Sequence, residues 1–315
     1  MATTAFLFPG QGSQYVGMGH DLYEQFPEAR ARFDAADRQL GYQITALKFG
    51  TGRDVAEAER HLKQTNVTQP ALYVHSLAAM AVLEARGVQP AMTAGHSLGE
   101  YSALAAAGAL SYEDGLRLVS LRGELMATAD DGRPGTMAAV LGMGADALVA
   151  LCEEITREGD GIVVCANFNA PGQVVISGDE AAVEQAMARA TEEGARRVVP
   201  LPVGGAFHSP LMEDARAGLA DALRDLAIRS PRCPVYLNVT AEPTTDPEAI
   251  RARLLEQLTS PVRWAQTLER MHADGAQRFV EVGAGKVLSG LVRRTLGRDV
   301  ETAQAGTAED MAVLA

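Results

Sequence analysis

The sequence predicts an α/β protein in which a large layered domain, built from strands that feed helices, is interrupted by a small antiparallel unit. Three observations predict it. Short apolar runs lead into glycine-containing loops near both ends of the chain, at Thr4-Ala5-Phe6-Leu7-Phe8 before Pro9-Gly10-Gln11-Gly12 and at Arg278-Phe279-Val280-Glu281-Val282 before Gly283. A breaker-rich stretch, Asp130-Asp131-Gly132-Arg133-Pro134-Gly135, divides the chain. The pentapeptide Gly95-His96-Ser97-Leu98-Gly99 sits between a short apolar run and the alanine-rich segment Glu100 to Ala107.

That pentapeptide organises the rest. It fits G-x-S-x-G, a strand-to-helix bend that exposes a serine hydroxyl at the top of a sheet, and it makes the large domain α/β-hydrolase-like with Ser97 as candidate nucleophile. The plainer reading is a glycine-flanked turn serine. The loop after the first strand, Pro9 to Gln14, has no Gly-Lys-Ser/Thr ending and no dinucleotide fingerprint, so phosphate cradling is disfavoured. In elbow enzymes such a loop supplies one oxyanion N–H, here from Gln11, while the residue after the serine, Leu98, supplies the other.

Helical patterns run from Asp21 to Leu40, Asp54 to Lys63 and Gln69 to Arg86, punctuated by Gly41, Gly50, Gly52 and Gly87. Ser111 reads as the N-cap of a helix reaching about Thr128, with acidic residues in its first turn. On that helix Leu118, Val119, Arg122, Leu125 and Met126 share one face, whereas Arg117 lies on the polar side near Glu113 and Glu124. A cation on an apolar stripe must meet an anion. The residues alone leave open whether Arg122 meets a structural carboxylate or a substrate's.

From Thr136 onward the pattern is a strand to Leu141, a helix from Ala145 to Glu158, strands at Ile162 to Asn167 and Gln173 to Ser177, a helix from Glu180 to Glu193 and a strand from Arg196 to Leu201. This βαββαβ order is ferredoxin-like. It places a small subdomain at residues 131–200, inserted into a large catalytic one of residues 1–130 and 201–315. After the insert, His208 lies between a glycine-bearing loop and a helix and is the candidate base for Ser97. A structural loop histidine is the plainer alternative. No third carboxylate is identifiable, and a backbone carbonyl would suffice to orient the imidazole. His96 is expected to point away from the serine side chain. A strand is predicted over Arg232 to Val239, helices over Pro247 to Leu258 and from Trp264 to Ala273, a last strand at Arg278 and a closing helix from Val287 to Leu296.

Composition narrows the function classes. The 315 residues are 47% hydrophobic, and 28 basic against 40 acidic side chains give a net charge of −12. A broad nucleic-acid surface is thereby disfavoured. Cys152, Cys165 and Cys233 lack metal-ligand or redox-pair spacing. The start of the chain lacks a basic segment followed by an apolar one, and no apolar run is long enough to span a bilayer, so a cytoplasmic protein without membrane partners is expected.

Several separated stretches together resemble the malonyl-CoA:acyl-carrier-protein transacylases and the related acyltransferase domains of polyketide synthases. They are Phe8 to Gln14, Gly95 to Glu100, Asn167-Phe168-Asn169-Ala170-Pro171-Gly172-Gln173, Ala206-Phe207-His208-Ser209, Gln257 to Trp264 and Glu281-Val282-Gly283. The resemblance implies that Ser97 carries the acyl group, His208 activates it, Gln11 and Leu98 donate to the oxyanion, and Arg122 holds malonate's free carboxylate. It also implies that Gln257 offers its backbone carbonyl to the histidine, that His96, Asn167 and Asn169 lie at the substrate cleft, and that Phe207 fills the space of an α-methyl group. Gly204-Gly205 departs from the bulkier residues of the polyketide pattern. The implied reaction is ping-pong transfer of malonyl from malonyl-CoA to the phosphopantetheine thiol of an acyl carrier protein, by a monomer with no cofactor or metal. The rival readings are a proofreading hydrolase of acyl-carrier-protein thioesters, which would not need Arg122, an acyltransferase for methylmalonyl-CoA, a generic esterase, and a catalytically idle docking subunit.

Overall fold

The computed structural model describes residues 3–52, 54–129, 134–159 and 161–314. Among these residues ten strands form two sheets: β1 (Thr4–Phe8), β2 (Met92–Gly95), β3 (Gly135–Leu141), β4 (Val163–Ala170), β5 (Gln173–Asp179), β6 (Arg197–Pro200), β7 (Val235–Tyr236), β8 (Pro243–Thr244), β9 (Arg278–Val282) and β10 (Glu301–Ala305). The larger sheet has the order β10-β9-β1-β2-β7-β8 and is parallel except for the β7–β8 pair. The smaller is antiparallel, β4-β5-β3-β6. With the helices Ala145–Glu158 and Glu180–Glu192 on it, the smaller sheet is the expected split βαβ arrangement.

Strand β1 is central and almost wholly buried, as its unbroken apolar run requires of a parallel strand covered on both faces. It pairs in register with β2, Phe8 opposite Gly95. The loop carrying Gln11 and the bend carrying Ser97 therefore leave the same end of adjacent strands, the usual place for a site in an open parallel sheet.

The predicted helix over Asp21 to Leu40 is two helices, His20–Gln25 and Pro27–Leu40. Phe26 between them is extended, because Pro27 disfavours helical backbone in the residue before it and is itself well placed at a first turn. A further helix, Ile44–Phe49, lacks a long enough periodic signal to be read. Thr65–Ala85 begins four residues before the expected Gln69 and keeps Pro70 inside it, since nearly every side chain through Leu83 is buried and packing outweighs one lost helix bond. Helix Tyr112–Thr128 follows its Ser111 cap as predicted, the Asp114 N–H donating to Ser111 Oγ at 3.0 Å. The linker residues 130–133 lie outside the described residues.

Two expectations near the C-terminus are corrected. The strand predicted from Arg232 to Val239 is only Val235–Tyr236, because the Asn238 backbone donates to Glu100 Oε2 and accepts from the Arg263 N–H instead of pairing in a ladder. Strand β9 is not the last: β10 pairs beside it at the sheet edge, followed by helix Ala308–Val313. Glu301-Thr302-Ala303-Gln304 is only partly buried and has no apolar alternation to announce a strand. Among the described residues no helix is long and apolar enough to cross a membrane.

Candidate active site

The bend is built by two close approaches and one strained residue. A Cβ on Gly95 would lie 1.9 Å from Gly99 backbone, and one on Gly99 would lie 2.0 Å from the Phe8 carbonyl oxygen. Both glycines are thus required by space, while the positive φ of the turn, 52°, falls on Ser97 itself. The helix Gly99–Ala106 starts immediately after Leu98. Among the described residues, the backbone N–H groups of Leu98 and Gln11 have no acceptor, so both remain available to a ligand.

His208 also has a positive φ, 58°, which turns its imidazole back toward the bend. Its Nε2 is 2.7 Å from Ser97 Oγ and its Nδ1 is 2.8 Å from the Gln257 carbonyl oxygen. A carbonyl can only accept, so Nδ1 carries the proton and Nε2 is left to accept from the serine hydroxyl. Burial, reinforced by the nearby Arg122 charge, pulls the His208 pKa down to about 3. The imidazole is therefore neutral at physiological pH, the state a general base needs. Among the described residues no carboxylate completes the pair; the Gln257 carbonyl takes that place.

Arg122 is 1% exposed. It donates to Gln69 Oε1 at 2.8 Å, to Gln257 Oε1 at 3.1 Å and to Ser97 Oγ at 3.2 Å, and its Cζ is 5.6 Å from the Tyr101 ring centre. No carboxylate among the described residues forms an ion pair with it. Glu100 is the acid nearby, but burial raises its pKa to about 7, against the opposing pull of Arg122. The structural carboxylate that sequence reasoning left open is thus not in contact. Arg117 is exposed as expected, though its partner is Asp114 at 2.9 Å.

A cleft of about 100 Å³ opens beside these groups, lined by Gln11, His96, Ser97, Leu98, Arg122, Asn167, Phe207 and His208, with Met126, Met137, Leu201 and Val203 as its apolar wall. His96 faces this cleft and does not turn away from it; its Nε2 is 2.7 Å from Asn169 Oδ1, and its ring meets Trp264 edge-on. Asn169 is absent from the cleft lining and meets it through its contact with His96, whereas Asn167 lines it beside a β-bulge in β4. Gln257 is fully buried and reaches the site through its carbonyl and its carboxamide, whose Nε2 donates to the Ser97 carbonyl at 3.1 Å. Sequence reasoning missed Gln69, which lies on an unremarkable buried helix face. It also missed Asn238, whose Oδ1 accepts from the Ser97 N–H at 2.7 Å; a polar residue in an otherwise apolar predicted strand was the available signal.

Together these groups offer a hydroxyl with a neutral base, two N–H donors beside it and a sheltered cation, a set suited to acyl transfer. The profile of the acyl transferase domain matches residues 5–312. The chain is 47% identical over 294 residues to the malonyl CoA-acyl carrier protein transacylase of Bacillus subtilis, covering 93% of this chain and 90% of that one. Its structure superposes with a TM-score of 0.93 on an acyl carrier protein S-malonyltransferase of Vibrio cholerae, 40% identical and covering all of both chains. It has the same TM-score, at 38% identity and with 99% and 98% coverage, to a malonyl-transacylase solved in complex with its type II polyketide synthase acyl-carrier protein. The chain belongs to the acyl transferase domain family.

Proposed function

We propose that the protein transfers malonyl from malonyl-CoA to the phosphopantetheine thiol of an acyl carrier protein through an ester on Ser97. One observation carries this reading: a serine–histidine pair 2.7 Å apart stands beside a buried guanidinium that no carboxylate among the described residues pairs. Malonyl-CoA brings the missing anion. His208 takes the hydroxyl proton as Ser97 Oγ attacks the thioester carbon, and the oxyanion is held by the Gln11 and Leu98 N–H groups. Collapse breaks the carbon–sulfur bond, and the proton leaves with coenzyme A. The carrier thiol then attacks the ester, passing its proton to His208, and the serine is restored.

Each thioester is exchanged for one of similar energy, so the reaction calls for no cofactor or metal. The buried Arg122 argues against a hydrolase of simple acyl groups. Phe207, nearly buried and packed over Gly205, supports malonyl over methylmalonyl because it occupies the side of the cleft an α-methyl would need. The four-stranded unit, residues 131–200, acts as the second wall of the cleft through Met137 and Asn167. Carrier docking is assigned to Lys286, Arg293 and Arg294, the last two lining a groove with Arg298, or to Arg196 and Arg197. The enzyme acts as a cytoplasmic monomer. Mixing with malonyl-CoA and mapping the adduct by mass spectrometry tests the core reading: a malonyl ester on the Ser97 peptide is expected, lost in Ser97→Ala, and an adduct elsewhere would refute it.

A further inference from the structure

Ser97 adopts a backbone conformation that costs a non-glycine residue energy, so something must hold it there. Asn238 is fully buried and spans the bend with one side chain. Its Oδ1 accepts from the Ser97 N–H at 2.7 Å, and its Nδ2 donates to the Gly95 carbonyl at 2.7 Å. The orientation of the carboxamide is fixed by its partners, since an N–H can only donate and a carbonyl can only accept. Asn238 is itself anchored: its N–H donates to Glu100 Oε2 at 2.6 Å and its carbonyl accepts from the Arg263 N–H at 2.9 Å. Glu100 lies in the first turn of the helix that follows the bend, so the brace closes on both sides of it.

We propose that Asn238 is a positioning residue for acyl transfer, a role that rests on Ser97 being the nucleophile. By occupying the Ser97 N–H it leaves the Leu98 N–H as the donor that this bend presents to the oxyanion. By tying residues 95 and 97 together it keeps Oγ on the His208 side. The task needs one acceptor and one donor in a single plane. Aspartate supplies no donor, and leucine neither.

Rapid-quench acylation by malonyl-CoA, read by intact mass, compares wild type with Asn238→Asp and Asn238→Leu, and Ser97→Ala is run beside them. Because the burst rate constant does not depend on the fraction of folded enzyme, partial misfolding lowers only the amplitude. Misplacing a reacting group or an oxyanion donor typically costs about 100-fold, so a loss of roughly 10- to 100-fold in the acylation rate constant is expected. The malonyl-CoA concentration for half-saturation should stay within about twofold and the malonyl-to-acetyl preference should be unchanged, since Gln69 and Gln257, not Asn238, hold Arg122. Acylation within threefold of wild type in both variants would overturn the brace, as would a rate loss matched by weaker saturation and lost acyl preference. An adduct persisting in Ser97→Ala would instead overturn the nucleophile and leave the brace without its object.

Discussion

Among the described residues two cations lie buried, and they are buried differently. Lys48, on helix Ile44–Phe49, is 0% exposed; its Nζ has no hydrogen-bond partner among the described residues and stands 4.3 Å from the centre of the Phe33 ring. Arg122 is as deeply buried, but its two Nη atoms donate to two glutamine oxygens and to Ser97 Oγ, and it borders the cleft. Burial pushes the Lys48 pKa well below its ordinary value, with Asp37 the charge that opposes it. A lysine can relieve such a site by losing its proton; a guanidinium remains charged. Neutral amide oxygens solvate Arg122 without cancelling it. A buried charge held by dipoles and turned to a cleft points to an anion that comes and goes, whereas a buried amine with an aromatic face points to packing.

Removing the guanidinium should have the largest effect. Truncating one partner of a buried charge pair costs about 2 to 5 kcal/mol, so Arg122→Ala should lower kcat/KM for malonyl-CoA by roughly 30-fold to several thousand-fold. Arg122→Lys is a sharper probe of the contrast. It keeps a cation but loses the planar fork and acquires a lysine's freedom to deprotonate, so its malonyl activity should fall between wild type and Arg122→Ala, on the order of 10-fold below wild type. A loss in Arg122→Lys equal to that in Arg122→Ala would show that the fork, and not the charge, is what the substrate uses.

The pH response follows from the histidine beside each cation. Burial comes first and the cation second in lowering both His75, near Lys48, and His208, near Arg122, to about 3. In the unfolded chain they titrate near 6.5, so the stability tied to keeping them neutral is present above pH 6.5 and is lost as pH falls toward 3. Glu100 acts in the other direction: raised from 4.5 to about 7, its contribution is present below 4.5 and is lost as pH rises through 7. Melting temperature should therefore fall on acidification below pH 6.5. In Arg122→Ala the acid limb of the acylation profile should move to higher pH, because one cause of the low His208 value is gone. An unmoved limb would mean that burial alone sets it.

Lys48→Met should leave acylation unchanged and alter stability by less than about 1.5 kcal/mol, since it exchanges a buried amine for an apolar chain of similar shape. A loss of activity there would erase the contrast between the two sites. The smallest effect is expected at the surface. Charge reversal at Arg293 and Arg294 should raise the KM for the carrier protein several-fold and spare that for malonyl-CoA, as exposed charges steer association more than they hold the complex. No change there, or at Arg196 and Arg197, would exclude both patches.

Much of this was legible in the sequence where local chemistry dictates structure. The bend around Ser97 announces itself by its glycines, and the small unit by six elements in a recognisable order. Arg122 stood out because a cation on an apolar stripe violates the helix pattern. What escaped depends on contacts between distant segments. Gln69 and Asn238 act through hydrogen bonds 53 and 141 residues away along the chain, which no periodicity encodes. The glycines were legible as turn formers, yet their work is to admit neighbouring backbone, and the strain falls on the serine. Strand β10 was hidden because an edge strand needs little apolar patterning.

On the proposed function, Arg122 is kept charged, and free of any carboxylate among the described residues, for the carboxylate of the acyl group. A competition between equal malonyl-CoA and acetyl-CoA, read as the ratio of the two acyl esters on Ser97 by intact mass, tests it most directly when paired with melting temperatures. Wild type should carry malonyl in large excess, and in Arg122→Ala the ratio should collapse or invert while the melting temperature changes little. An unchanged ratio, with both esters reduced alike and stability lowered by several kcal/mol, would show that the guanidinium serves the fold and not the substrate.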